Sequence, residues 1–153
     1  MGREASITMD CSLYLNCICD IVELFTKIGW SWYNADGEVN YLPVGVQDTF
    51  DWESCNLTKA EIKTIIKEKE LKRETVGITL YHEKSDAGFD FLAQKTSEIS
   101  LVLDINRRLL GDKRKSNTDV SWYIKNIIQK LEEENCIISY YEFCEILGWP
   151  GTL

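Results

Sequence analysis

VGITLYHEKSDAGFDFLAQKTSEISLVLDI, residues 76–105, reads as three strands in succession. Val76, Ile78 and Leu80 alternate with smaller or polar neighbours, as do Phe89 and Phe91, and then Ile99, Leu101, Leu103 and Ile105. A period of two places each set on one face of a strand. The connections Glu83–Ala87 and Gln94–Ser97 are too short for crossover helices, so the three strands form an antiparallel meander. Its apolar density predicts a place at the centre of the sheet.

Toward the N-terminus, the period changes to that of a helix. Thr58 and Glu61 have the spacing of a capping box, with Leu57 and Ile62 at the staple positions, and Ile62, Ile65 and Ile66 form a narrow stripe. This predicts a helix over 58–73, with Lys and Glu covering its remaining surface. Met9, Cys11, Leu13 and Leu15 predict a strand over 7–15. Ile18, Ile21, Val22, Phe25 and Ile28 predict a helix over 17–28, capped by Asn16 and ended by Gly29. Trp30–Tyr33 and Val39–Leu42 flank Asn34-Ala35-Asp36-Gly37 and read as a hairpin.

Toward the C-terminus, a polar loop from Arg107 to Asn117 precedes a helix over 118–134, capped by Asn117 or Thr118. Ile137, Ser139, Tyr141 and Phe143 then return to strand spacing. The order β-α-β-β-α-β-β-β-α-β predicts one α+β domain over 1–153, a mostly antiparallel sheet with about three helices packed on it. Met9 is a second candidate start, which makes residues 1–8 a candidate flexible extension. The predicted core comprises Leu13, Ile21, Val22, Phe25, Ile62, Ile66, Ile78, Leu80, Phe91, Leu101, Leu103, Ile124, Ile127 and Leu131.

The net charge of −8 is uneven. Residues 1–57 hold nine acids against Arg3 and Lys27; residues 58–115 carry a net +3 and residues 116–153 a net −4. A field of this sign repels nucleic-acid phosphate and anionic lipid and steers a basic partner inward. No apolar run is long enough to span a bilayer, and the N-terminal residues lack a signal-peptide layout. A cytoplasmic location with reduced thiols is the expectation for Cys11, Cys17, Cys19, Cys55, Cys136 and Cys144. Cys11, Cys136 and Cys144 sit in apolar segments and read as small hydrophobes. Cys17-Ile18-Cys19 is not zinc spacing, and His82 is the only imidazole, so no metal or other cofactor is expected.

The chain has no Gly-rich phosphate loop and no nucleophile elbow. His82 reads as an exposed residue at a strand end, and Ser85 is too near in sequence to make a convincing nucleophile. The carboxylates Asp36, Glu38, Asp48, Asp51 and Glu53 lie in polar stretches, without the apolar pocket that splits two carboxyl pKa values for hydrolysis. The basic island Arg107, Arg108, Lys113, Arg114, Lys115 reads as a solvated loop. Trp122 lies off the apolar stripe of its helix, and packing or contact are equally open for it.

One stretch is better contact material than core: Gln47-Asp48-Thr49-Phe50-Asp51-Trp52-Glu53, three carboxylates and two large rings between a Pro/Gly turn and a helix start. With the turn carrying Asp36 and Glu38, it supplies the candidate partner-binding residues Asp36, Glu38, Asp48, Asp51, Trp52 and Glu53. Together with Leu24-Phe25-Thr26-Lys27-Ile28-Gly29-Trp30 and Tyr41-Leu42-Pro43-Val44-Gly45, it resembles the immunity proteins of bacterial contact-dependent growth inhibition and polymorphic-toxin systems. That resemblance implies a non-enzymatic inhibitor whose partner is a cognate basic toxin domain, often a nuclease, blocked at its active site or substrate entry. Acids beside aromatic anchors suit that role, since charge complementarity raises association rates and buried rings carry binding energy. The alternatives are an adaptor or regulatory domain, which calls for an apolar exposed patch, and a carboxylate-dependent hydrolase, which calls for a deep pocket lined by two of Asp36, Asp48, Asp51 and Glu53.

Overall fold

The computed structural model describes residues 3–46, 51–111 and 117–147. Its strands are β1 (Arg3–Asp10), β2 (Trp30–Ser31), β3 (Val39–Tyr41), β4 (Glu53–Cys55), β5 (Val76–His82), β6 (Gly88–Ala93), β7 (Ile99–Ile105) and β8 (Tyr140–Leu147). They form one antiparallel sheet in the order β4-β3-β5-β6-β7-β1-β8, with β2 also paired to β5. The meander β5-β6-β7 is central, as its apolar alternation requires.

Three helices cover one face. They are α1 (Ile18–Lys27), α2 (Lys59–Leu71) and α3, which is α-helical over Val120–Tyr123, π-helical over Ile124–Gln129 and α-helical again over Lys130–Glu133. Ile7, Met9, Ile78, Leu80, Phe89, Phe91, Leu101 and Leu103 meet Ile21, Val22, Phe25, Ile62, Ile66, Ile127 and Leu131 in a single core. Phe25 sits edge-on to both Phe89 and Phe91, at 5.5 and 5.9 Å between ring centres. The capping box of α2 forms as the spacing predicts: Glu61 N–H donates to Thr58 Oγ1 at 3.1 Å, and Thr58 N–H donates to Glu61 Oε1 at 2.9 Å.

Several boundaries differ from the sequence reading. The first strand runs Arg3–Asp10, so residues 3–8 belong to a strand paired on both sides. Asp10 ends it: its carboxylate accepts the N–H and hydroxyl of Ser12 and starts a turn. Leu13 therefore projects from that turn and is 71% exposed, while the inward set is Ala5, Ile7, Met9 and Cys11. Ile124 is only half-buried. Residue 16 does not cap α1. Cys17 is its N-cap, and the Ile18 N–H donates instead to the Glu70 carboxylate of α2 at 3.1 Å. Asp119, whose carboxylate accepts the Trp122 N–H at 3.2 Å, caps α3 in place of Asn117 or Thr118.

The segments around Asn34–Gly37 turn as expected but do not pair with each other. Trp30 pairs with His82 near one end of β5, and Tyr41 pairs with Ile78 farther along it. Asn34 Oδ1 accepts the N–H groups of Asp36 and Glu38, and Gly37 takes φ +77°. The last strand begins at Tyr140, not Ile137, because Asn135 (φ +66°) and the Cys136 N–H bond to Leu131 O first close the helix.

Lys69 is the least expected core residue. It lies on the face of α2 that carries Ile62 and Ile66 and is 1% exposed. Its Nζ donates to Pro43 O and Val46 O at 2.7 Å each, 3.7 Å from Glu74 Oε1. Glu74 in turn accepts the Gly45 N–H at 2.7 Å. Desolvation lowers the Lys69 pKa and Glu74 opposes the shift.

Candidate partner-binding surface

The helices leave the other face of the sheet open. Period-two alternation places on it Glu4, Ser6 and Thr8 of β1, Asn40 of β3, Ser54 of β4, Gly77, Thr79 and Tyr81 of β5, Asp90 and Leu92 of β6, and Ser100, Val102 and Asp104 of β7.

Four strands contribute to a hydrogen-bonded row across this face. Ser54 Oγ donates to Asn40 Oδ1 at 3.1 Å, Asn40 Nδ2 to Thr79 Oγ1 at 2.9 Å, and Thr79 Oγ1 to Asp90 Oδ1 at 2.7 Å. On the next strand, β7, Asp104 lies near enough to Asp90 for the two carboxyls to act on each other. Partial desolvation of the Asp104 carboxyl, followed by the neighbouring Asp90 carboxyl and a smaller contribution from Glu4, raises its pKa to about 7. The residue as a whole is exposed, so an arriving cation can reach its carboxyl.

Of the candidate residues named from sequence, Asp51, Trp52 and Glu53 fall around one end of this row. Asp51 is exposed, just before β4. Glu53 is exposed in β4, opposite Tyr41. The Trp52 ring lies half-buried over Gly77: a methyl group there would sit 3.1 Å from Trp52 Cη2 and 2.5 Å from Leu42 Cδ1. Trp52 is thus neither a core residue nor a free ring, but a cover on the open face. Asp36 is exposed and Glu38 half-buried in the turn before β3, at the opposite end of the β3–β4 ladder from Glu53. Asp48 lies outside the described residues. The stretch read as a contact loop therefore ends in an edge strand, which the Asp51-Trp52-Glu53 composition did not reveal. The row through Asp90 and Asp104 was also missed, because its members are far apart in sequence and only strand register joins them.

A second cluster forms at the opposite end of β5 from Gly77. His82 packs against Trp30 and Trp122 at 4.9 and 5.0 Å between ring centres, and Arg108 stacks over Trp122 at 5.1 Å. His82 is half-buried, not exposed. Desolvation, then Arg108, lowers its pKa. Its Nδ1 is 2.8 Å from Ser85 Oγ, which also accepts the Ala87 N–H and so serves the β5–β6 turn. Trp30 Nε1 donates to Asn126 O within the π-helical turn. Arg107 is tied to Glu145 and Thr118, while Lys113, Arg114 and Lys115 lie outside the described residues.

Two grooves flank His82. One, of about 440 Å³, runs past Lys27, Lys84, Lys125 and Lys130 with Glu83, Glu133 and Glu134 among them. The other, of about 510 Å³, is lined by Asp36, whose carboxylate companions there are Glu83 and Asp86, not the acids around β4. Among the described residues no helix is long and apolar enough to cross a membrane. Cys11 and Cys136 are buried, as small hydrophobes should be, whereas Cys144, read the same way, is exposed on β8.

No family model, curated protein or solved structure matches the chain.

Proposed function

We propose that this chain is an immunity-type inhibitor that binds one basic toxin domain, a nuclease, and occludes its active site or substrate entry. The observation that carries this reading is the open sheet face. There Asp90 and Asp104 lie on neighbouring strands near enough to act on each other, and the charges that raise the Asp104 pKa are other carboxylates. Like charges held together cost free energy in the unbound protein, and a guanidinium or ammonium from a partner relieves that cost on docking. Trp52 borders the same face and supplies a ring of the kind that anchors interfaces.

The test is co-expression with a toxin-like protein encoded beside this gene. Protected growth and a one-to-one complex of the purified pair support the reading. A toxin that kills regardless, with no complex formed, ends it. A second reading, an adaptor or regulatory domain, is favoured by a different observation: exposed apolar side chains gather along β8 and the turns before it. It predicts binding that is insensitive to salt, whereas the inhibitor reading predicts association that slows as salt rises.

A further inference from the structure

The two edges of the sheet are unlike. The β4 edge is three residues long, with Glu53 on it and Asp51 just before it, a short and charged end of the kind that resists pairing. The β8 edge is eight residues long and, among the described residues, pairs only with β1. It carries no lysine, proline or glycine, and its Glu145 is engaged by Arg107 at 3.1 Å. Six of the nine exposed large hydrophobic residues lie on it or in the turns at its start: Leu13, Tyr14, Ile137, Tyr140, Tyr141 and Ile146. A long apolar edge of unpaired backbone groups is a template for another strand.

We infer that β8 pairs with β8 of a second copy of this chain, antiparallel across a two-fold axis beside Phe143. In a two-fold antiparallel pair one residue faces itself, and every other pairing follows from that choice. Centring on Glu142 or Glu145 sets carboxylate against carboxylate. Centring on Cys144 sets Glu142 against Ile146 and Glu145 against Phe143. Centring on Phe143 instead pairs Tyr140 with Ile146 twice and Phe143 with itself, and leaves each glutamate opposite a neutral residue (Tyr141 or Cys144). That register uses all of residues 140–146 and forms the most favourable cross-strand pairs. The blocked β4 edge gives the assembly no further place to grow, so it closes as a dimer and does not extend into a fibre. The inference does not depend on the identity of any other partner.

Sedimentation equilibrium on the whole chain, with melting curves as a check on folding, tests it. The expected results are a dimer for the native sequence and a monomer for Ile146→Lys and for Tyr140→Lys, both at exposed positions and both still folded. In a Cys144→Ser background, the Tyr140→Cys/Ile146→Cys variant cross-links between chains under oxidised glutathione, and neither single cysteine variant does so to the same extent. A native chain that stays monomeric at every reachable concentration overturns the inference. So does a dimer that survives Ile146→Lys, or one in which the double-cysteine variant fails to cross-link.

Discussion

Thr79 donates its hydroxyl to its register partner Asp90 at 2.7 Å, and that bond helps orient the carboxylate that meets Asp104 on the next strand. Thr79 is fully buried although it points to the open face, because neighbouring side chains close over it. The result is an ordered polar row that ends in an uncompensated pair of acids.

That pair makes stability depend on pH in a direction fixed by the sign of the shift. The Asp104 carboxyl titrates near 7 in the folded protein against an ordinary value of 3.8, so the folded state holds this proton more tightly. Its contribution favours folding most at low pH and declines as pH rises from about 4 to about 7. Asp104→Asn removes the decline. Thermal melts should show the variant gaining on the native chain through that window, with the gain complete above pH 7 and absent near pH 4. A difference that does not change with pH contradicts the assignment.

Lys69 ties α2 to the segment after β3. Lys69→Met keeps the apolar stem but leaves Pro43 O and Val46 O without their donor and Glu74 without its cation. The expected loss is roughly 2–4 kcal/mol in denaturant unfolding. A loss below about 0.5 kcal/mol, the range of ordinary surface changes, would show that the ammonium is not held there.

Gly77 lies under two side chains. In Gly77→Ala the new methyl group meets Leu42 Cδ1 at 2.5 Å and Trp52 Cη2 at 3.1 Å, so both must shift. Overpacking of this kind costs roughly 1–3 kcal/mol. Equal stability of variant and native chain would mean that Trp52 and Leu42 do not cover this strand.

The capping box of α2 offers a smaller, local check. Thr58→Ala removes the acceptor of the Glu61 N–H and should cost about 1 kcal/mol. Leu101→Ala, at the centre of the core, should cost about 2–5 kcal/mol. The two effects should add, because the sites share no partner.

The features legible in the sequence were those written in local spacing. The meander, the stripes of α1 and α2, the capping box and the turn at Gly37 are each set by residues within a few positions of one another. What escaped depends on distant partners. The Glu70 carboxylate replaces a local cap on α1, β5 draws both β2 and β3 to itself, and Lys69 is buried because carbonyls from residues 43 and 46 arrive above it. Leu13 fits the strand period, but Asp10 turns the chain before the period reaches it. Among the candidate contact residues, the acids near β4 were visible as a cluster. Asp90 and Asp104 were not, since each reads alone as an ordinary outward polar position on a strand.

On the proposed function, the helix-free face of the sheet, with its carboxylate pair, receives a basic partner. The most direct measurement is calorimetric titration of the gene-adjacent toxin-like protein into the native chain, Asp104→Lys, Trp52→Ala and the turn variant Asp36→Lys, each confirmed folded by its melting curve. Asp104→Lys should weaken binding by several kcal/mol and Trp52→Ala by about 2 kcal/mol, and Asp36→Lys, farther along the edge, should cost less than either. Full affinity in folded Asp104→Lys and Trp52→Ala would place the contact away from this face.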